Sequence, residues 1–373
     1  MVHTTYDKRI GKEVKKAIRK RLNTGFPATN RYNSDYKPSE LLDVAIFSIA
    51  RDYFVEEGSE TLKRIRKKVA DADTVFYRIK PATTTQVLTY FETTNQRVLT
   101  TAKNLGVFNK PCKCAIDWHD KMVYTKKLRQ AVRTKSKNGT DYALRYASIE
   151  SVESNLRFTF HAIPCTPFTD MCDVVHKLIL KTQEYVPNIS LLLMDRGFFN
   201  ARVIDLLNNL NIPFVIPAVK NRKIAALIRT ARRTRSTIPN TSDSFYLVDY
   251  LLAEQAKTQL VFYFRPSKDP TELDECFVFS TNLSINIGNI KKVAEDYRTR
   301  WGIETGYRIK ERVVGKTCSR SYVVRLLLLL LSVLLYNLWT LLKILRPDWV
   351  SVYKRFTLNK LKDWLRRSIE VVE

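Results

Sequence analysis

The chain is 373 residues long and 45% hydrophobic, enough for a sizeable core and for two or three structural units. Its 63 Lys+Arg against 37 Asp+Glu give a formal charge of +26, which points to a polyanionic partner, nucleic acid ahead of anionic membrane. Six cysteines without a paired CxxC spacing, and only four histidines, argue against a zinc module and predict reduced thiols. The opening MVHTTYDKRIGKEVKK has no apolar run, so no secretory signal is read and a cytoplasmic setting is expected.

In chain order, residues 8–22 read as a short basic helix carrying Lys12, Lys15, Lys16, Arg19, Lys20 and Arg21, followed by a turn-rich linker at 24–38. Helical periodicity predicts helices over 39–70 and 83–104, the first with Leu41, Leu42, Val44 and Ile46, the second with Val87, Tyr90, Phe91 and Val98. This basic, all-helical stretch suits a DNA-binding domain over 1–108. A plain helical bundle has the same signature.

At Cys112 the period changes. A short apolar run ends in Asp117, a second strand is expected at 121–124, and two more at 142–149 and 156–163. Between them lies a stretch read as a basic loop, with Lys126, Lys127, Arg129, Arg133, Lys135, Lys137 and Gly139. A helix at 170–185 leads to the apolar run 188–194, closed by Asp195; a helix at 200–210 and a strand at 213–218 follow. That order predicts a mixed α/β sheet with helices on its faces. Residues 219–235 hold Lys220, Arg222, Lys223, Arg229, Arg232, Arg233 and Arg235 without an acid, and read as a phosphate-binding segment. Antiparallel strands over 245–281 interrupt the α/β pattern within a stretch of about 219–285.

Tyr297, Arg300, Glu304, Arg308 and Glu311 recur at helical spacing on one face. Further on, Arg325 and Lys343 bracket 343 − 325 − 1 = 17 largely apolar residues that include Ser332, Asn337 and Thr340. A bilayer span takes about 20 apolar residues, so this segment is read as a buried core helix and no membrane partner is expected. A basic helix at 354–367 closes the chain, within a C-terminal segment of 346–373.

Three carboxylates stand at special places: Asp117 and Asp195 at strand ends and Glu304 on the late helix. Adjacent strands ending in acids bring those side chains to one sheet edge, where open α/β sheets bind ligands. Gathered carboxylates repel unless a cation neutralises them, and oxygen-only ligands favour Mg²⁺ or Mn²⁺. Two such ions about 3.5–4 Å apart serve phosphoryl transfer. Each acid also has a plainer reading: a strand-end Asp caps a turn, and Arg300 with Glu304 makes an i, i+4 pair. Asp120 is an alternative ligand, and His119 reads as a local hydrogen-bonder. The order strand, strand, helix sets the three apart.

Ala115-Ile-Asp117, Leu193-Met-Asp-Arg-Gly-Phe198 and Tyr297-x-x-Arg300-Trp-x-Ile-Glu304 make the chain resemble a DDE transposase of the IS4-like superfamily of insertion sequences, in particular its archaeal ISH3-type relatives. The family's third motif, Tyr-x2-Arg-x3-Glu-x6-Lys, matches in spacing except at its lysine, which falls on Glu311; Arg308 and Lys310 are the candidates for that role. The resemblance covers about 110–345. It implies an RNase H-like catalytic core over 109–345, interrupted by the β-rich insertion and preceded by the helical DNA-binding domain. It implies that Asp117, Asp195 and Glu304 are catalytic and hold two Mg²⁺ (Mn²⁺ as a substitute). It further implies that Tyr297 and Arg300 clamp phosphate, while Lys220, Arg222 and Lys223 of the basic segment are expected to hold the DNA backbone. Trp301 is read either as a base-stacking residue or as core. The implied partners are double-stranded DNA, as terminal inverted repeats and target, and a second copy of the chain in a homodimer at a prokaryotic nucleoid. The rival readings are an RNase H-like endonuclease or resolvase without strand transfer, a non-catalytic DNA-binding protein, and a membrane-anchored protein using the leucine-rich helix.

Overall fold

The structure, a computed structural model, describes residues 13–370 except 15, 18, 30–33, 126–127, 153–155, 268, 270–272 and 349–356. The expected basic residues Lys12, Lys15, Lys126 and Lys127, and the start of the last helix, lie outside the described residues. The chain divides into two compact units, one of Met1–Val107, Lys121–Leu144 and Gly306–Glu373, the other of Phe108–Asp120 and Arg145–Thr305.

The first unit is mainly helical. It contains α1 (Pro38–Arg51), α2 (Val55–Lys63), α3 (Ala72–Ile79), α4 (Thr84–Asn104), α10 (Tyr322–Leu345) and α11 (Leu358–Glu370). The single helix expected over 39–70 is in fact α1 and α2. Asp52, at φ 59°, turns left-handed and ends α1, a conformation short polar side chains tolerate. α2 then returns so closely that Gly58 has no room for a Cβ beside Ser48.

α10 is the core of this unit. It is long and apolar enough to cross a membrane, yet its residues are buried almost throughout, from Leu326 to Leu342. It packs against α4, where Asn337 donates to Asn95 Oδ1 at 2.7 Å across the buried interface. Ser332 and Thr340 spend their hydroxyls on carbonyls of their own helix. An apolar surface on all sides therefore serves a protein core here. α11 covers α1 with Trp364 and Leu365, both fully buried.

The segment expected as a basic loop contains strand β2 (Val132–Lys137), paired antiparallel with the start of β3 (Thr140–Ser151). Asn138 and Gly139 between them have φ of 52° and 79°, the two-residue turn that Asn-Gly forms in hairpins.

The second unit is built on a sheet ordered β3-β1-β5-β6-β10-β9-β8-β7, with β4 (Thr159–Cys165) also paired to β3. β1 (Cys112–Met122) lies parallel to β5 (Ile189–Met194), and β5 parallel to β6 (Phe214–Pro217). β10 (Glu275–Thr281), β9 (Ala256–Arg265) and β8 (Ser244–Leu252) continue the sheet antiparallel, with β7 (Ser236–Thr237) at the edge. β1 is one strand of 11 residues, where two short strands were expected. α5 (Met171–Gln183) packs on β4 and α6 (Ala201–Asn209) on β9. After β6 comes α7 (Arg222–Thr234), whose Ile224 and Ala231 pack with Leu260, Phe262 and Phe264 of β9. The basic segment is thus a helix clamped to a sheet. α8 (Ile290–Thr299) and α9 (Trp301–Glu311) follow β10.

Candidate active site

Parallel pairing of β1 with β5 ends at Ile116 opposite Met194. Asp117 and Asp195 are the next residue on each strand, so the ladder delivers the two carboxylates side by side at its end. The position expected for Asp117, the end of a strand, is corrected: β1 runs on past it, and it is the pairing with β5 that stops. Beyond the ladder the two segments are held by aromatic packing. The Trp118 ring stacks on Phe198 with centroids 4.9 Å apart and planes 8° from parallel. Arg145 lies over the other part of this lock, 5.9 Å from the Trp118 ring, and binds both oxygens of Asp120 at 2.7 Å. Asp120 is therefore engaged by an arginine within its own sheet. His119 lies against Tyr146, with ring centroids 5.1 Å apart.

The third carboxylate arrives on α9. Helical residues run from 290 to 311, but the chain tightens at Arg300, whose N–H bonds Tyr297 O at 3.1 Å while its own carbonyl accepts from Ile303 N at 2.9 Å. The face expected to be one continuous helix is thus two helices meeting at Arg300. The joint is pinned by Arg157, which donates to Gly302 O at 3.2 Å; a Cβ at Gly302 would stand 3.0 Å from the Arg157 guanidinium carbon.

Arg300 gathers the three acids. Its Nη1 is 2.8 Å from Asp117 Oδ2, its Nη2 is 2.9 Å from Glu304 Oε1, and the same Nη2 is 4.0 Å from Asp195 Oδ1. Its side chain is 9% exposed and that of Asp117 is 13% exposed, whereas Asp195 and Glu304 are 49% and 40% exposed. The cluster has a dry floor and an open mouth. Burial pushes the Asp117 carboxyl up to about 6, against the pull of Arg300 and its own contact with the Trp118 amide; the Asp195 and Glu304 charges push it further the same way. Burial likewise pushes the Tyr297 hydroxyl up to about 12, with the guanidinium 5.6 Å from its ring.

Three carboxylates meet on this guanidinium, and every donor they offer is a hard oxygen. That set suits Mg²⁺ or Mn²⁺. Among the described residues no three acidic, histidine or cysteine side chains are grouped to enclose one ion as they stand; these three meet on Arg300.

Beside Arg300 opens a cavity of about 890 Å³, walled by Tyr297, Trp301, Phe277 and Phe279 and rimmed by Arg196 and Arg265. Trp301, left between two roles by its sequence context, is 62% exposed and is no part of the core. Phe277 and Arg265 were not singled out from sequence. They face this cavity because β10 and β9 pair, and the Arg265 guanidinium lies 5.6 Å from the Phe277 ring. Arg196 had a signal in its adjacency to Asp195.

The remaining expected DNA contacts divide. Arg222 and Lys223 are exposed at the start of α7, and Arg308 is exposed on α9. Lys220 lines the cavity and donates to Cys276 O at 2.8 Å. Lys310, expected on a DNA-facing surface, is instead fully buried, its ammonium 4.5 Å from the Tyr307 ring and 5.6 Å from that of Tyr336. Glu311, in the place of the family lysine, forms an ion pair with Lys121.

Residues 167–338 match the family model described as the transposase DDE domain; Asp195 and Glu304 fall inside the match, and Asp117 precedes it. The structure is similar to that of piggyBac transposase in a cryo-EM synaptic complex with hairpin DNA, at 13% identity and a TM-score of 0.55, covering 96% of this chain and 77% of that one. At that identity the likeness is one of fold. No curated protein matches the chain. The matched stretch is similar to a transposase DDE domain, and the fold to that of a transposase.

Proposed function

We propose that this chain is the transposase of an insertion sequence, of the IS4-like, ISH3-type kind. In this reading it binds the terminal inverted repeats of its element as a homodimer, cuts at their ends and joins the freed strands to target DNA. The observation that carries the reading is the convergence of Asp117, Asp195 and Glu304 on one guanidinium from β1, the end of β5 and α9. The core is read as RNase H-like, with α7 and β7–β10 as its insertion and the N-terminal helices as a DNA-binding domain.

Asp117, Asp195 and Glu304 are the residues that would hold two Mg²⁺ or Mn²⁺, which when bound supply Lewis acidity to both oxygens of an in-line displacement. The chain's own groups do the rest. Burial of Asp117 keeps water from the floor of the site and fixes one carboxylate. Arg300 holds the acids together, and the Trp118–Phe198 stack keeps the strands that bear them in register. Tyr297, Trp301 and Phe277 offer ring faces to a nucleotide next to the reacting phosphate, while Arg196, Lys220 and Arg265 stand where they can take its charge. In the first step a water oxygen attacks phosphorus at the element's end and the 3′ oxygen leaves as a hydroxyl. In the second, that hydroxyl attacks a target phosphorus and the target's own 3′ oxygen leaves.

The test uses purified full-length chain, duplexes bearing the element's ends either uncut or already cut to a 3′-hydroxyl, a target duplex, and Mg²⁺ or Mn²⁺. Joined product is expected. Cutting of uncut ends without any joining would mark an endonuclease, and inactivity toward both substrates would overturn the reading.

A further inference from the structure

α4 holds seven threonines among its 21 residues. Threonine is a poor helix former because its branched side chain loses rotamer freedom, so this density calls for a reason outside helix stability. One face of α4 has the ordinary reason for its residues: Val87, Tyr90, Phe91, Asn95, Val98 and Leu99 are buried, and the Asn95–Asn337 bond fixes the helix on α10. The other face has none. Thr89, Thr93, Gln96, Arg97 and Thr100 follow one another at i, i+4, i+7, i+8 and i+11 and form a stripe that is exposed or half-exposed.

Two grooves run along this stripe within the same unit. One, of about 530 Å³, has Thr24–Thr29 as its opposite wall; the other, of about 480 Å³, is walled by Lys20 and Arg21. The opposing chain is held in place by Tyr90, whose hydroxyl donates to Leu22 O at 2.7 Å and whose ring meets Phe26 edge-on at 5.6 Å. Arg97 lines both grooves. Its Nη1 is sealed from solvent and bonds no acceptor among the described residues. A buried N–H donor left without an acceptor is costly. Among the described residues no acid lines either groove, and the single acid of α4, Glu92, lies at the edge of the stripe.

We infer that the Thr89–Thr100 face of α4 is the base-reading surface of the chain, seated in the major groove of duplex DNA, with Lys20 and Arg21 on the flanking phosphates. The major groove admits an α-helix and distinguishes all four base pairs. Amide and guanidinium groups are the side chains that pair bidentately with adenine and guanine there, while threonine hydroxyls serve either base edges or phosphate and its methyl meets thymine. A helix mounted on a core by one face and bearing this set on the other is built as a reading head. The inference rests on the proposed function for the identity of its partner as DNA, and it assigns a specific element to sequence choice.

The test is selection from a pool of duplexes with a randomised centre, using the full-length chain and the variants Gln96→Ala, Arg97→Lys and Lys20→Ala. The wild type is expected to enrich one motif. Gln96→Ala and Arg97→Lys should alter the preferred base at particular positions and weaken binding to the wild-type motif about tenfold. Lys20→Ala should weaken binding to every sequence alike and shallow the salt dependence by about one counterion. Enrichment of no motif by the wild type, or of the same motif with the same affinity by Gln96→Ala and Arg97→Lys, overturns the inference. Joining of ends by a protein that selects no motif sinks only this inference; a selected motif without cutting or joining sinks only the transposase reading.

Discussion

Removing Arg300 takes away the guanidinium on which Asp117 and Glu304 close and near which Asp195 lies. Leaving a half-buried acid cluster without its counter-charge is strongly destabilising. Arg300→Ala should lose about 2–3 kcal/mol of stability in chelator, and added Mn²⁺ should restore most of it by supplying the missing charge, with a much smaller effect on the wild type. Thermal unfolding with and without the ion checks this, and an equal loss in both conditions contradicts it. Asp117 gives a second prediction. Its carboxyl titrates at about 6 in the fold against an ordinary 3.8, so between those values the folded chain holds a proton that the unfolded chain has released. The stability this group contributes is complete below about 4, falls as pH rises to about 6 and is level above that. Asp117→Asn has no such dependence. In chelator its stability relative to wild type should improve by about 2–3 kcal/mol between pH 4 and pH 7; parallel pH curves would show the carboxyl to be unperturbed.

α7 and Arg235, which follows it, divide their cations between two tasks. Arg232 donates to Asp274 O at 2.8 Å and Arg235 binds Asp274 Oδ2 at 2.6 Å, both with their guanidinium groups over the Phe264 ring. Arg222, Lys223, Arg229 and Arg233 point outward and are exposed. Arg229→Ala with Arg233→Ala should leave stability unchanged and weaken binding to any duplex, shallowing the salt dependence by about two counterions in a titration. Arg232→Ala should do the reverse, lowering stability by about 1 kcal/mol with binding kept. Composition alone marks the segment as basic, since both kinds of arginine read alike; the partner on Phe264 is set by β9, distant in the chain. The same limit explains β2. The alternating Arg133, Lys135 and Lys137 look like a solvated loop, and the Asn138-Gly139 turn was the local signal that they form a hairpin. Helices with strong apolar stripes and good starts, such as α4 with its Thr83–Gln86 capping box, were legible nearly to the residue. The break between α1 and α2 at Asp52 was not, because nothing in the periodicity interrupts there.

At the scale of the whole molecule, the candidate site was legible because the acids fall where strands stop pairing or where a helix repeats its face. What the sequence could not show was that Arg300 also reaches Asp117 and Asp195, that Lys310 turns inward, or that Phe277 and Arg265 wall the neighbouring cavity. Each depends on packing between elements far apart in the chain. The match to the DDE domain spans Asp195 and Glu304 and begins after Asp117, and the likeness to piggyBac transposase is one of fold. The most direct test is a single set of assays on Asp117→Asn, Asp195→Asn and Glu304→Gln, measuring end cleavage and strand transfer beside DNA affinity. All three variants should lose both reactions by a factor of at least about a thousand, as expected of groups that act as one unit, with affinity for the ends near that of wild type. Any one of them retaining wild-type cleavage and joining would contradict the account.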